Sequence, residues 1–252
     1  INRQTITLDA AHLIQSGGEG MVFGVGETAV KLYHQPQPHH IAKLRHWLDS
    51  GLNQRLPPGV LGPLALATDK QGQAIGFQMA RLPAASFPIK KLANPAFRRQ
   101  QGLAAPDIIA LFRQLHATLT SLHQLGIVVG DLNDHNIYLT PSPNHPLSAA
   151  WLDVDSYQIA QFPCPVAMEV FLDPQLYGVG DFGQRPYFTP ATDWYAFFVL
   201  LVRSLLGVHP YGGVHKQHKT LAARAQAGVS ILHPDVVYPA TAVPAATLPT
   251  DL

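Results

Sequence analysis

A single cysteine, Cys164, in 252 residues excludes an internal disulfide and fits a reducing compartment, most simply the cytoplasm. Charge is also scarce: 13% of residues are charged and the formal net charge is +1. The basic residues are scattered, so the chain carries no electrostatic footprint for nucleic acid or for an anionic membrane. No apolar run approaches the ~20 residues of a membrane-spanning helix, and the longest candidate, Trp194 to Leu206, is interrupted by Arg203. The thirteen histidines include no HExxH and have no paired cysteines beside them, which argues against a structural zinc. The chain starts at Ile1 without Met and ends in a Pro/Ala/Thr-rich stretch, and so reads as a fragment of something longer. What is abundant is apolar: 47% hydrophobic content supports a large core in one bilobal domain or two small ones.

The most informative stretch is GIVVGDLNDHN, Gly126 to Asn136, followed by WLDVDSY, Trp151 to Tyr157. Asp131 and Asn136 form a D-L-x-x-x-N pattern, and Asp153 follows at what reads as a buried strand end. Two carboxylates and an amide with this spacing suit a metal–phosphate group. Mg²⁺ takes hard oxygen ligands and leaves room for water and phosphate, while an acceptor hydroxyl needs a carboxylate to orient it. Taken alone, the same residues also suit a polar turn, with Asp131 and Asn136 as Asx-turn residues.

Upstream, QSGGEGMVFGVGETAVKLY, Gln15 to Tyr33, alternates in the manner of two strands joined at Gly24 to Thr28, with a glycine hairpin before them. Gly17, Gly18 and Gly20 allow backbone to approach phosphates closely because no Cβ intervenes. Lys31 then lies on the following strand, where its ammonium can meet the α- and β-phosphates. A glycine cluster by itself is more often just a hairpin, and it gains meaning from the A-V-K after it and from the Asp131 loop.

In order along the chain, GGEGMVF resembles the glycine-rich loop of protein kinases, AVK their Val-Ala-Ile-Lys strand, GDLNDHN their catalytic loop and DVD their Asp-Phe-Gly position. The resemblance spans residues 12 to 235 and is to bacterial eukaryotic-like Ser/Thr kinases. More narrowly, VGDLNDHNIYL, LDVDSYQ and DWYAFFVLLVRSLLGVHPYGG look like kinases encoded beside a PP2C-type phosphatase and a von Willebrand A-type protein in tellurium-resistance-like clusters. The resemblance implies a bilobal α+β fold, with a small antiparallel-sheet lobe over residues 1–82 and a larger, mainly helical lobe over 83–252 that stops short of the last helices. It implies ATP with Mg²⁺ or Mn²⁺, bound between the lobes. It implies Lys31 on the phosphates, Asp131 as base, and Asn136 and Asp153 on metal. Gly17, Gly18, Gly20, Val22 and Ala29 would contact nucleotide, Met79 would be the gatekeeper, and the backbone of Ala80 to Leu82 the adenine-binding hinge. The implied partners are a protein substrate with Ser/Thr hydroxyls, a von Willebrand A-type protein and a PP2C-type phosphatase.

The chain departs from the family at several places. The helix read over 38–50, with Ile41, Leu44, Trp47 and Leu48 on one apolar face, lacks the glutamate that pairs with the strand lysine, and its only acid is Asp49. Either Asp49, or an acid from elsewhere, pairs with Lys31, or the pair is missing. Val129-Gly130 stands where His-Arg is usual, so there is no partner for an activation-loop phosphate. Asn133 replaces a lysine that supports the transferred phosphoryl group, and Gln175 replaces a structural glutamate. These losses make a nucleotide-binding pseudokinase the first alternative. Gly-Asp-Leu and Leu-Asp-Val-Asp also resemble aminoglycoside and choline kinases, which makes a small-molecule phosphotransferase the second. Asp155 suits either a further metal oxygen or a turn cap.

Elsewhere, VLGPLALATD and AIGFQMARL read as a hairpin turning at Lys70 to Gly72. Residues 83–105 show no firm periodicity. Asp107 to Leu125 reads as a helix with 108, 111, 112, 115, 119 and 122 inward, closed by Gly126. His116 and His123 on it suit packing or surface placement. Phe162 to Phe188 reads as an exposed, loop-rich segment. Asp193 suits the N-cap of an apolar helix over 193–206, and in the kinase family the same Asp anchors the catalytic-loop backbone. A short helix is expected over 219–228.

Overall fold

Alternating apolar residues with glycine at the turns make the N-terminal part a sheet, and apolar residues at helical spacing make the longer helices that follow, with turns, short strands and irregular chain between them. The computed structural model describes residues 5–141 and 147–248, in two compact units, Ile1–Ala84 and Ala85–Leu252.

The first unit is a five-stranded antiparallel sheet crossed by one helix. Its strands are β1 (Leu13–Ser16), β2 (Gly20–Val25), β3 (Thr28–Tyr33), β4 (Ala65–Thr68) and β5 (Ala74–Ala80), in the order β1-β2-β3-β5-β4. Gly26, at φ 56°, lets a two-residue turn join β2 to β3, and the Thr28 hydroxyl donates to the Val25 carbonyl at 2.9 Å. Helix α1 (Pro38–Asp49) begins with proline, whose missing N–H costs nothing there, and ends before Gly51 at φ 69°. It buries Leu44 and Trp47. Tyr33, Leu44 and Phe77 form a cluster, with Ile41, Leu66 and Met79 packed against it. Each fully buried large side chain here contributes roughly 1.5–3 kcal/mol.

The sequence expects strand character from Val60, but β4 starts only at Ala65. Gly62 donates its N–H to the Val60 carbonyl at 3.1 Å, which makes a turn, and Pro63 has no N–H for a ladder. Asp69 closes the β4–β5 turn by accepting from the Gln71 and Gln73 amides.

The second unit is built on two helices, α3 (Ala105–Gln124) and α4 (Pro190–Leu206), which pack together. The six positions read as inward on α3 are its buried residues. Residues 83–105, which lack periodicity, hold β6 (Phe87–Pro88), a 3-10 turn at Ile89–Ala93 and helix α2 (Pro95–Gln100), capped by the Asn94 side chain. Arg98 of α2 is buried and donates to the Ser204 and Leu205 carbonyls at the end of α4, satisfying groups the helix end leaves open. Helix α4 begins at Pro190, with Thr189 as its N-cap. The N-cap reading of Asp193 is therefore corrected, because Thr189 and Thr192 form the reciprocal cap one turn earlier.

Four short strands complete the frame around the Asp131 loop: β7 (Ile127–Val128), β8 (Ile137–Thr140), β9 (Ser148–Trp151) and β10 (Gln158–Ile159). β8 pairs with β9 and with β6, and β7 pairs with β10. The expected helix over 219–228 is α5 (Leu221–Gln226), capped by Thr220. After it the described chain holds one 3-10 turn, Ala245–Thr247. No helix among the described residues is long and apolar enough to cross a membrane.

Candidate functional site

In the first unit, sheet register decides which side chains share a face. Val22 lies opposite Lys31, Lys31 opposite Phe77, and Ala29 opposite both Gly24 and Met79. Directly opposed residues in an antiparallel pair point the same way, and so do residues two apart along a strand. Val22, Ala29, Lys31 and Met79 are thus brought to one face, which is also the face carrying Tyr33 and Phe77. Lys31 is buried, at 7% exposure, and its ammonium lies 5.8 Å from the centre of the Tyr33 ring, within cation–π range.

The glycines that precede this face have separate reasons. A Cβ on Gly20 would lie 2.2 Å from the Leu32 carbonyl oxygen, so strand packing alone requires glycine there. A Cβ on Gly18 would meet nothing within 4 Å, and one on Gly17 only the Gly20 oxygen at 3.9 Å. Neither needs a positive φ. The backbone at Gly17 and Gly18 is bare without a packing demand, and it is held in place by Gly17 N–H to Gly20 O at 2.9 Å and by the His34 ring on Gly17 O at 3.0 Å. At the other end of the face, Ala80 closes β5, and the next amide, Arg81 N–H, donates to the Glu27 carbonyl at 3.1 Å. Of the hinge stretch Ala80 to Leu82, that one donor is already committed within the sheet.

In the second unit, topology forces three predicted residues together. The loop from β7 to β8 carries Asp131 and Asn136, and the turn from β9 to β10 carries Asp153. Because β8 pairs with β9 and β7 with β10, the two connections must run side by side, and the Leu152 amide donates to the Asn136 carbonyl at 2.9 Å. Asp153 is exposed and sits at φ 53°, a left-handed conformation uncommon for a residue with a Cβ and concentrated at functional positions. The Asn136 amide donates to the Asp131 carbonyl at 3.1 Å and to its carboxylate at 3.2 Å. The other Asp131 oxygen accepts the Met168 N–H at 3.0 Å. Burial pushes the Asp131 carboxyl above its ordinary value, hydrogen bonds from Asn133, Met168 and Asn136 pull it back, and the Asp153 charge adds to the rise.

Asn133 is buried and faces its own loop: its amide donates to Asp131 O at 3.1 Å and its oxygen accepts His135 N–H at 2.8 Å. The Asx turn in this loop therefore belongs to Asn133, not to Asp131 or Asn136. Asp134 is tied to Arg203 of α4 at 3.0 Å, which fixes the loop from the other side.

Asp193 is fully buried and accepts from three donors: Val129 N–H at 2.8 Å, Gly130 N–H at 2.8 Å and His123 Nε2 at 2.9 Å. A carboxylate accepts only, so His123 carries its proton on Nε2. His116 instead packs on Trp194 at 4.7 Å between ring centres. Sequence reading missed the His123–Asp193 contact because the two lie 70 residues apart; the histidine's position on α3, just before the loop, is its one visible signal.

The segment after Asp153 is loop-rich, as expected, but not simply exposed. Val128, Cys164, Leu176 and Phe188 form their own core, and Gln158 clamps the segment's end by pairing with both the N–H and the C=O of Phe188. Cys164 packs so closely on Gly130 that a Cβ there would lie 2.8 Å from its sulfur. His209 Nε2 meets the Val170 carbonyl at 2.9 Å, while its Nδ1 accepts from Tyr211 N–H at 3.0 Å.

No protein-family model matches the chain, and no curated protein matches it.

Proposed function

We propose that the chain is an ATP- and Mg²⁺-dependent (or Mn²⁺-dependent) kinase of the bilobal protein-kinase type, acting on Ser/Thr hydroxyls of a protein. The observation that carries this reading is the side-by-side setting of the Asp131 loop and the Asp153 turn, which brings a carboxylate, an amide and a second carboxylate together. Those are hard oxygen donors suited to Mg²⁺. Asn136 uses its amide N–H on Asp131, which leaves its oxygen for a metal, and Asp153 lies exposed beside it. When bound, Mg²⁺ supplies neutralisation of the triphosphate charge.

The roles of the chain's own residues follow. The bare backbone at Gly17 and Gly18 and the ammonium of Lys31 take phosphate oxygens. Asp131 orients the acceptor hydroxyl and receives its proton as the oxygen bonds to the γ-phosphorus and the β–γ bridging bond breaks, leaving ADP. Asp193 and His123 hold Val129 and Gly130, and through them the Asp131 carboxylate. The inward-turned Asn133 leaves no cation two residues beyond Asp131, which supports a nucleotide-binding pseudokinase as the second reading. The narrower family resemblance makes a von Willebrand A-type protein and a PP2C-type phosphatase the proposed partners.

Asp131→Ala separates the readings. A kinase loses phosphate transfer while Mg²⁺–ATP binding persists. Measurable transfer that is the same in wild type and Asp131→Ala contradicts the role given to Asp131. Binding with no transfer in the wild type selects the pseudokinase.

A further inference from the structure

A buried ammonium needs counter-charge, because removing it from water unpaired costs more than one ordinary contact returns. Helix α1, packed on the face that carries Lys31, offers no acid near its middle; Asp49 sits exposed at its C-terminal end. The glycine turn does offer one. Glu19 Oε2 lies 4.0 Å from Lys31 Nζ. The turn that presents it is fixed by the residue just after β3, His34, through two bonds: the Glu19 carbonyl accepts His34 N–H at 2.9 Å, and the His34 ring meets Gly17 O at 3.0 Å. Gly20 starts the ladder opposite Tyr33, so the residue just before it is carried to the end of β3, on whose face Lys31 lies.

We propose that Glu19 is a positioning residue that acts on Lys31 as a carboxylate counter-charge supplied from the glycine turn. This rests on the reading that Lys31 meets phosphate. It gives the chain, from a different element, the acid that α1 lacks. It also couples the turn to the lysine: the bare backbone of Gly17 and Gly18 and the ammonium are held as one unit, ready to contact the same anionic group.

The test uses the whole chain carrying ¹³C at its lysine ε-carbons, with the Lys31 resonance identified by its loss in Lys31→Arg. Glu19→Gln lowers the Lys31 titration midpoint by about half a pH unit or more, since an opposite charge nearby favours the ammonium. In the same variant kcat for ATP-dependent transfer falls about tenfold or more while KM for ATP changes by less than about threefold. Glu19→Asp recovers part of the loss, and Asp49→Asn moves neither quantity. An unmoved Lys31 midpoint in Glu19→Gln overturns the proposal. A moved midpoint in a protein whose wild type transfers no phosphate keeps the ion pair and removes the kinase reading instead.

Discussion

His209 is the residue whose chemistry most directly links stability to pH. It is buried, and burial lowers its pKa from 6.5 to about 4, against a smaller upward pull from the Val170 carbonyl. The folded state keeps the ring neutral while the unfolded chain protonates near 6.5, so the unfolded state binds more protons between those values. Stability is fully present above pH 6.5 and is lost as pH falls from 6.5 toward 4. A shift of this size corresponds to roughly 3 kcal/mol. Urea denaturation at pH 7.5 and pH 4.5 measures it, and a His209→Gln variant, which has no titrating ring, loses most of the difference. An equal pH dependence in both proteins contradicts this account of His209. Little of this was visible in the sequence: a histidine before Pro210 carries no mark of burial. The Asp131, Asn136 and Asp153 set was legible, because residue type and spacing carry it. The carboxylate under the loop, Asp193, was legible only through family resemblance.

At the scale of elements, the glycine turn and the two strands after it give the sharpest contrast. Gly20→Ala drives a methyl into the Leu32 carbonyl, 2.2 Å away, and has to separate β2 from β3. Overpacking of this kind costs on the order of 1–3 kcal/mol or more. Gly18→Ala meets nothing, so its stability stays within about 0.5 kcal/mol of wild type, yet on the kinase reading it weakens ATP binding by covering backbone. Thermal melting and ATP titration of the two variants check both halves. Unchanged ATP affinity in Gly18→Ala removes the phosphate role from that backbone. Elements with long periodicity, such as α3, were read nearly to their ends. The stretch around α2 was not, because a two-residue strand and a six-residue helix lack the length to show a period. Asn94-Pro95, an N-cap followed by proline, was the available clue.

For the whole molecule, the chain makes two compact units, each carrying part of the proposed chemistry: phosphate contacts in the first, metal and hydroxyl groups in the second. An α+β architecture with a small antiparallel sheet was legible in strand patterning, glycine placement and family resemblance, but the count of five strands was not. The nested pairing of β7 with β10 around β8 with β9 was not legible either, since strands of two to four residues are defined by their partners and not by their own sequence. That pairing nevertheless sets the Asp131 loop against the Asp153 turn, and the central claim depends on it. The measurement that tests it most directly is transfer of labelled phosphate from ATP, with Mg²⁺ or Mn²⁺, to a generic protein substrate, comparing wild type with Asp153→Ala. The account predicts label on Ser and Thr of the substrate, lost in Asp153→Ala, while that variant keeps its fold because Asp153 is exposed. Label appearing equally with both proteins, or ATP bound by the wild type with none transferred, contradicts it.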